Sequence, residues 1–251
     1  MDFNYNTINI NGESLKVGVY CAAFYCEPAY MEYHQKVFQH FGVNVNYIHD
    51  SQYHGEILDR ICHTENVDYF CFVDVDAIPL IPNVLEILIN RIHGKKAIIG
   101  IEQCSNNHVN EGDKLIALAN AIKNGQKIST HINPSNNTHN VLEGFEYTYA
   151  GPAFFVISKE VYTFLGKPSF LETYRSDCGE EISYIAREKG VEVKYINFSH
   201  CIKPMWHLRD DIEFGIGSTY ENLVYHNFQA RVPSNLPLFI EQCSKILNDH
   251  E

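Results

Sequence analysis

The chain has 251 residues, of which 45% are hydrophobic and 20% are charged, and its formal net charge is -12. This length and composition are typical of a globular protein with one large α/β domain or two small ones, and they allow a sizeable buried core. The acidic balance and the lack of any run of Lys or Arg argue against nucleic-acid binding, which depends on cationic patches. An anionic nucleotide could still bind if a metal ion supplied the positive charge.

Cysteine usage and hydropathy indicate the cellular location. The eight cysteines include no C-x-x-C pair, which argues against a structural zinc site and favours a reducing compartment. No segment reaches the ~20 consecutive apolar residues that a membrane span requires. Residues 1–11 are polar and lack the apolar region of a secretory signal. We therefore expect a cytoplasmic protein without a membrane span.

The first hundred residues alternate apolar runs of strand length with segments of helical spacing. In chain order the predicted strands are 15–24, 43–48, 69–73 and 97–101, and the predicted helices between them are 28–41, 56–64 and 82–92. This alternation is typical of a parallel sheet with helices on both faces. Ligands of such sheets collect at the carboxyl ends of the strands.

The amino-acid composition of the chain changes after residue 101. Residues 103–146 are polar and rich in Asn, Gly and His, with one short predicted helix at 114–123, which indicates either a functional lid or a disordered loop. A strand at 149–158, a helix at 178–189, a strand at 191–198 and an outer helix at 236–247 follow. No linker separates domains, so we expect a single domain over 1–251.

Two acidic residues, Asp74 and Asp76, directly follow the apolar run YFCFV of the third predicted strand. Carboxylates at such a place must be solvated or paired, because isolated charges beside a core are costly. Mg²⁺ and Mn²⁺ prefer carboxylate oxygens and commonly take one or two together with substrate phosphates. Asp is also common in ordinary turns, so the pair alone is a weak signal. Its place at the ligand-binding edge favours a metal site.

Two further interpretations remain open. The Asp-x-Asp pattern also resembles the haloacid-dehalogenase-type phosphatases, in which Asp74 would be the nucleophile. The third-strand position and the following Ala77-Ile78 depart from that family, which places this interpretation second. A third is a non-catalytic module that binds a nucleotide sugar through a decayed active site.

Three stretches resemble the GT-A glycosyltransferases in their order and spacing. They are FCFVDVDAIPL, YTYAGPAFFVIS and SDCGEEISYIAREKG, and the resemblance covers most of the chain. It implies an α/β fold, specifically a Rossmann-like αβα sandwich with a mostly parallel sheet. It also implies metal-dependent transfer of a sugar from a nucleotide-diphosphate sugar to an acceptor hydroxyl, for example on a glycan. Residues 1–101 would then form the nucleotide-binding half and 102–251 the acceptor-binding half.

The resemblance implies a set of metal ligands for Mn²⁺ or Mg²⁺. Asp74 and Asp76 would hold the ion, with Asp76 the more direct ligand. Many members of the family add a histidine from the C-terminal part, and the candidates here are His226, then His207, then His200. We prefer His226 because the Gly-rich turn FGIGSTY before it could bring the tail back over the site.

The resemblance also assigns donor-binding and catalytic residues. The implied donor-binding residues are Ala22, Ala23, Phe24, Asp50, Asp74, Val75 and Gly151. The acceptor proton would go to an acid at the start of the helix at 178–189, for which the candidates are Glu181, Glu180 and Asp177. Many relatives have Glu-Asp where this chain has Glu180-Glu181, so the choice among the three acids stays open.

Overall fold

A computed structural model describes residues 3–23, 26–50, 53–104, 128–132, 138–142, 148–171, 178–209 and 212–248. For 104, 128–132, 138–142, 206–209 and 212 the description covers the backbone alone. Most of the polar segment 103–146, including the predicted helix at 114–123, therefore lies outside the described residues.

The strands fall into one large sheet and three smaller ones. In chain order they are β1 (Asn6–Ile10), β2 (Glu13–Ala22), β3 (Asn46–Ile48), β4 (Tyr69–Val73), β5 (Ala77–Pro79), β6 (Ala97–Cys104), β7 (Ile128–Ile132), β8 (Thr138–Leu142), β9 (Thr148–Ser158), β10 (Glu192–Ile196), β11 (Phe198–His200), β12 (Lys203–Arg209), β13 (Ile212–Ile216), β14 (Ser218–Tyr220) and β15 (Val224–His226).

The α-helices of the described residues are α1 (Pro28–His40), α2 (His54–Thr64), α3 (Val84–Ile92), α4 (Lys159–Phe164), α5 (Glu180–Glu188) and α6 (Leu236–Asn248). Two of them, α1 and α4, begin with a recognisable signal. Pro28 begins α1, where the missing N–H would have no intrahelical partner in any case. Ser158 caps α4, since its Oγ accepts a hydrogen bond of 3.1 Å from the N–H of Val161.

The large sheet has the order β1-β2-β4-β9-β6-β10, and β3 pairs with the second half of β2. Strands β2, β3, β4, β6 and β10 run in one direction, whereas β1 and β9 run in the other. This mostly parallel, Rossmann-like sheet confirms the α/β fold expected from the sequence. The carboxyl ends of the parallel strands meet at one edge, where ligands of such sheets bind.

Helices cover both faces of the sheet, which makes the molecule an αβα sandwich. Residues of α1, α3 and α6 pack on one face, and residues of α2, α4 and α5 pack on the other. Along β4, Tyr69, Cys71 and Val73 face the first layer, while Phe70 and Phe72 face the second. A strand with apolar side chains on both faces reads as a continuous apolar run, which explains why the sequence revealed it.

Strand β9 carries a bulge beside the acidic turn. Gly100 of β6 pairs with Phe155, but the next residue, Ile101, pairs with Gly151, so 152–154 bulge out of the ladder with β6. The bulge contains Pro152, which has no N–H to contribute to a ladder and is therefore tolerated there. The carbonyl of Ala153 accepts a hydrogen bond of 2.9 Å from the N–H of Asp74, which continues the β4–β9 pairing beyond Val73 and Phe154. Strand β9 thus holds the start of the Asp-Val-Asp turn.

A smaller sheet brings the C-terminal part back to the same edge. Its order is β11-β14-β15-β5, and all pairs in it are antiparallel. Beyond it, α6 packs on α1, with the rings of Tyr30 and Phe239 4.7 Å apart. Such an aromatic pair adds about 0.5–1.5 kcal/mol beyond its buried area.

Several elements were not predicted from the sequence. Strand β1 is a polar edge strand whose buried Asn6 uses its side-chain amide to bond both backbone groups of Asn44, at 2.8 and 2.9 Å. Helix α4 and the short strands β5 and β11 to β15 were also missed. Strands β5, β11, β14 and β15 have three residues each, which is too few alternating side chains to give a periodic signal.

Candidate metal centre and surrounding site

The acidic turn follows β4 at the carboxyl edge of the sheet. All five residues of β4 are buried, Asp74 is partly exposed, and Asp76 is only 6% exposed. The N–H of Ala77 donates to the carbonyl of Asp74 at 3.0 Å, which closes the turn before β5 begins. The two acids are therefore presented by a short turn held at both ends.

Pairing of β5 with β15 places a histidine next to this turn. His226 is the register partner of Ala77, the residue directly after Asp76. The His226 Nε2 atom lies 3.2 Å from Oδ1 of Asp76. One ligand atom from each of Asp74, Asp76 and His226 lies within 4.8 Å of the others, so the three could hold one metal ion. The two carboxylates suit Mn²⁺ or Mg²⁺, and a neutral imidazole is a common metal ligand.

The environment of Asp76 keeps its carboxylate charged. Burial by itself raises the pKa of Asp76, but the charge and hydrogen bond of His226 and the N–H of Ala230 outweigh it. The pKa therefore lies below its ordinary value of 3.8. The Ala230 N–H donates to Oδ2 at 3.1 Å, which leaves Oδ1 facing His226. A buried anion of this kind is favourable when a cation is bound beside it.

A buried amide, that of Asn227, ties the tail to the turn. Asn227 is fully buried, and its backbone N–H donates to the carbonyl of Asp76 at 2.8 Å. Its side-chain NH₂ donates to the hydroxyl of Tyr30 at 2.8 Å and to the carbonyl of Asn235 at 2.9 Å. Its Oδ1 accepts from the hydroxyl of Tyr225 at 2.9 Å. This network joins α1, the acidic turn and the tail, and so fixes the backbone that carries His226.

Two further histidines lie against the acidic turn and were not singled out from the sequence. His54, the first residue of α2, places its Nε2 3.5 Å from Oδ1 of Asp74. His34 of α1 is fully buried, with Nδ1 2.7 Å from the hydroxyl of Tyr47. Burial lowers the pKa of His34 to about 3, even though Asp76 and the backbone of the turn favour its charged form. His34 is thus a neutral support for the turn at ordinary pH.

The residues assigned to donor binding differ in their surroundings. Ala22 ends β2 and Ala23 follows it, with the N–H of Ala23 bonded to the carbonyl of Ile48 at 3.0 Å. Asp50 follows β3 at the same sheet edge, and its Oδ2 lies 2.8 Å from Nη1 of Arg60. Phe24 lies outside the described residues.

Two other donor assignments have a packing explanation in the structure. The side chain of Val75 is buried in the apolar layer beneath the turn, so contact with a donor would have to use its backbone. A Cβ on Gly151 would lie 3.0 Å from Cγ1 of Ile101 and 3.1 Å from Cβ of Gln103, so β6 packs closely against this position. Close packing therefore accounts for the glycine without reference to a ligand.

The acids at the start of α5 reach the same region through β9. Gly179 precedes the helix with φ of 75°, a left-handed conformation that favours glycine, and it lies against Pro152 of the bulge. Glu180 is 1% exposed and accepts a hydrogen bond of 2.7 Å from the hydroxyl of Tyr184. Glu181 is partly exposed, and Asp177 lies outside the described residues.

The other histidines considered as ligands are placed elsewhere. His200 of β11 has its Nδ1 2.7 Å from Oγ1 of Thr219, its neighbour across the small sheet. The backbone of His207 in β12 pairs with Glu213 of β13, while its side chain lies outside what the structure describes. Among the residues whose side chains are described, only His226 joins the two aspartates in a group that could hold a metal.

No protein-family model matches the chain, and no curated protein matches it in sequence. Among solved structures it is similar to HddC from Yersinia pseudotuberculosis, with a TM-score of 0.42 and 11% identity over 91% of this chain and 98% of that one. It is also similar to glucosyl-3-phosphoglycerate synthase from Mycobacterium tuberculosis in complex with Mn²⁺ and uridine diphosphate glucose, with a TM-score of 0.40 and 15% identity over 75% and 72% of the two chains. For CMP:2-keto-3-deoxy-manno-octonic acid synthetase complexed with CTP, the TM-score is 0.36 and the identity 10%, over 72% and 89% of the chains. Similarity this distant leaves the chemistry of the site to be argued from the residues of this chain.

Proposed function

We propose that this chain is a metal-dependent glycosyltransferase. It binds Mn²⁺ or Mg²⁺ through Asp74, Asp76 and His226, and it moves a sugar from a nucleotide-diphosphate sugar to an acceptor hydroxyl, for example on a glycan. The observation that carries the proposal is the grouping of these three ligand atoms within 4.8 Å at the carboxyl edge of a mostly parallel sheet. When bound there, the metal neutralises the diphosphate and the charge that develops on the leaving group.

The sequence around β2 supports a metal rather than a basic loop as the phosphate partner. Loops that hold phosphates by themselves are rich in glycine and carry a lysine. The connection 22–28 between β2 and α1 contains no Gly, Lys or Arg. With a net charge of -12 on the chain, a bound cation is the simplest source of positive charge for a diphosphate.

The surroundings of the acids at α5 favour Glu181 as the group that accepts the acceptor proton in an inverting reaction. Glu180 is buried and already accepts from Tyr184, which makes it a structural support for the helix start. Glu181 is partly exposed in the first turn of the same helix. Asp177 is retained as the second candidate, three residues before Glu180.

The ionisation of the Asp76 carboxylate argues against the phosphatase alternative. In that chemistry Asp74 would attack phosphorus, and a nearby acid would have to protonate the leaving group. Asp76 is two residues away, but its pKa is held below the ordinary value by His226 and Ala230 despite burial. An ionised carboxylate is suited to binding a cation and poorly suited to donating a proton.

The location and remaining partners are also proposals. No helix in the described part of the chain is long and apolar enough to cross a membrane. The cysteines with described side chains, from Cys21 to Cys243, carry free thiols, which supports the proposed cytoplasmic location. We expect no nucleic-acid partner, because the surface charge is acidic overall.

The proposal is tested by calorimetric titration of the protein with a panel of nucleotide sugars, with and without Mn²⁺. The wild type should bind at least one donor only with metal, and Asp76→Ala should abolish this binding. Glu86→Ala, which removes an exposed carboxylate on α3, is the matched control and should bind as the wild type does. Donor binding that needs no metal and survives Asp76→Ala would refute the proposal. Release of free sugar from the donor, followed by NMR, would separate an enzyme from a binding module.

A further inference from the structure

His54 stands at the junction between α2 and the acidic turn. Its ring is largely shielded, with 18% of the side chain exposed, and its Nε2 faces Oδ1 of Asp74 at 3.5 Å. On the other side of the turn, His226 faces Asp76 at 3.2 Å. Each aspartate of the turn therefore has one imidazole directed at a carboxylate oxygen. The two imidazoles belong to α2 and β15, which lie far apart in the sequence.

The two aspartates differ in exposure. The Asp76 side chain is 9% exposed and is fixed by His226 and by the N–H of Ala230. The Asp74 side chain is 29% exposed and lies at the outer end of the turn. A carboxylate at a partly solvated position can rotate about χ1 and χ2, so its orientation toward a metal depends on what it contacts.

Helix α2 is well anchored and can therefore serve as the fixed partner. A Cβ on Gly55 would lie 2.5 Å from the carbonyl oxygen of Phe170, so the helix start sits directly against that backbone. One turn later, Asp59 accepts from the backbone N–H of Phe170 at 2.7 Å. The inner face of α2, with Ile57 and Ile61, is buried in the second apolar layer. His54 is thus carried by a well-anchored helix that lies beside the turn carrying Asp74.

The geometry places His54 outside the ligand set itself. Two atoms bound to one Mg²⁺-sized ion at about 2.1 Å each are at most about 4.2 Å apart. Among the side chains that the structure describes, the three whose ligand atoms all lie within 4.8 Å of one another are those of Asp74, Asp76 and His226. His54 does not belong to this group. A group that contacts a metal-binding carboxylate but not the metal orients that carboxylate, and losing it commonly lowers metal affinity about 10–100-fold.

We propose that His54 is a positioning residue that holds the Asp74 carboxylate in the orientation required for metal binding. This inference rests on the proposed metal-dependent function. Its Nε2 lies 3.5 Å from Oδ1 of Asp74 and limits the movement of that carboxylate on the side of α2. Loss of this contact removes one restraint on the Asp74 carboxylate, and we expect the affinity for the metal to fall in consequence.

The test is a titration with Mn²⁺ alone, followed by calorimetry and by the electron paramagnetic resonance spectrum of the bound ion. His54→Ala should bind Mn²⁺ about 10–100-fold more weakly than the wild type. His54→Gln keeps an N–H donor at a similar reach and should recover most of the lost affinity. His63→Ala is the matched control, because His63 lies exposed on the same helix with its Nδ1 at the carbonyl of Asp59. Its affinity should equal that of the wild type.

Thermal unfolding without metal separates positioning from folding. His54→Ala and His63→Ala should unfold at similar temperatures in the metal-free state. Equal Mn²⁺ affinity of His54→Ala and wild type would overturn the inference while leaving the proposed function intact. A loss of affinity that is matched by a metal-free loss of stability and is not recovered by His54→Gln would also overturn it. Failure of the wild type to bind Mn²⁺ would instead refute the proposed function.

Discussion

Replacing Asn227 by alanine should destabilise the protein through one buried network. The side chain makes three hydrogen bonds, to Tyr30, Asn235 and Tyr225, at 2.8 to 2.9 Å. The substitution keeps the backbone N–H that bonds Asp76 but leaves three buried polar groups without this partner. Each such bond contributes about 1 kcal/mol net, so the free energy of unfolding should fall by about 3 kcal/mol. For a domain of this size, that corresponds to a Tm about 6–12 °C lower.

The measurement is urea unfolding followed by circular dichroism, together with a thermal scan. Asn90→Ala makes the same substitution at an exposed position of α3 and should leave stability unchanged or slightly higher, because alanine is the better helix former. Tyr30→Phe removes one partner and should cost about 1 kcal/mol in the wild type but much less in Asn227→Ala. If Asn227→Ala unfolds at the wild-type urea concentration, the network does not stabilise the tail as described.

Three further predictions concern other parts of the molecule. Gly55→Ala should lower the free energy of unfolding, because the new methyl group would lie 2.5 Å from the carbonyl oxygen of Phe170 and such overpacking costs about 1–3 kcal/mol. This cost should outweigh the higher helix propensity of alanine, which is worth about 1 kcal/mol. A raised urea midpoint would contradict this prediction. Burial raises the pKa of Glu221, but hydrogen bonds from Arg91 and Asn197 outweigh this effect and hold the pKa below 4.5. The carboxylate therefore contributes stability above pH 4.5, and this contribution is lost as the pH falls through the pKa of the folded state. Glu221→Gln should therefore be less stable than wild type at pH 7, with the difference shrinking in acid, and a pH-independent difference would rule out this linkage. Mn²⁺ at 100 times its Kd should add about 2.7 kcal/mol to the free energy of unfolding, and chelation should remove this gain; a Tm that does not respond to Mn²⁺ would count against the metal site.

The sequence predicted the elements whose signals are local and repeated. The run YFCFV identified β4 because a strand buried on both faces must be apolar throughout. The helices α1, α2 and α3 were found from one apolar face each, within three residues of their observed ends. The mostly parallel sheet followed from the alternation of these elements, and the structure confirms it. The antiparallel insertion of β9 between β4 and β6 gave no such signal, because strand direction depends on how the chain returns.

The residues of the candidate site likewise divide into those with a local sequence signal and those without one. Asp74 and Asp76 could be singled out because two acids at a strand end need partners, whatever the rest of the chain does. His226 was one of several candidate histidines, and only the β5–β15 pairing sets it 3.2 Å from Asp76. His54 and Asn227 had no sequence signal at all, since their importance lies in atoms of residues that are distant along the chain. Local chemistry along the sequence therefore determined which acids need a cation, and the long-range pairing of strands and helices decided which histidines and amides surround them.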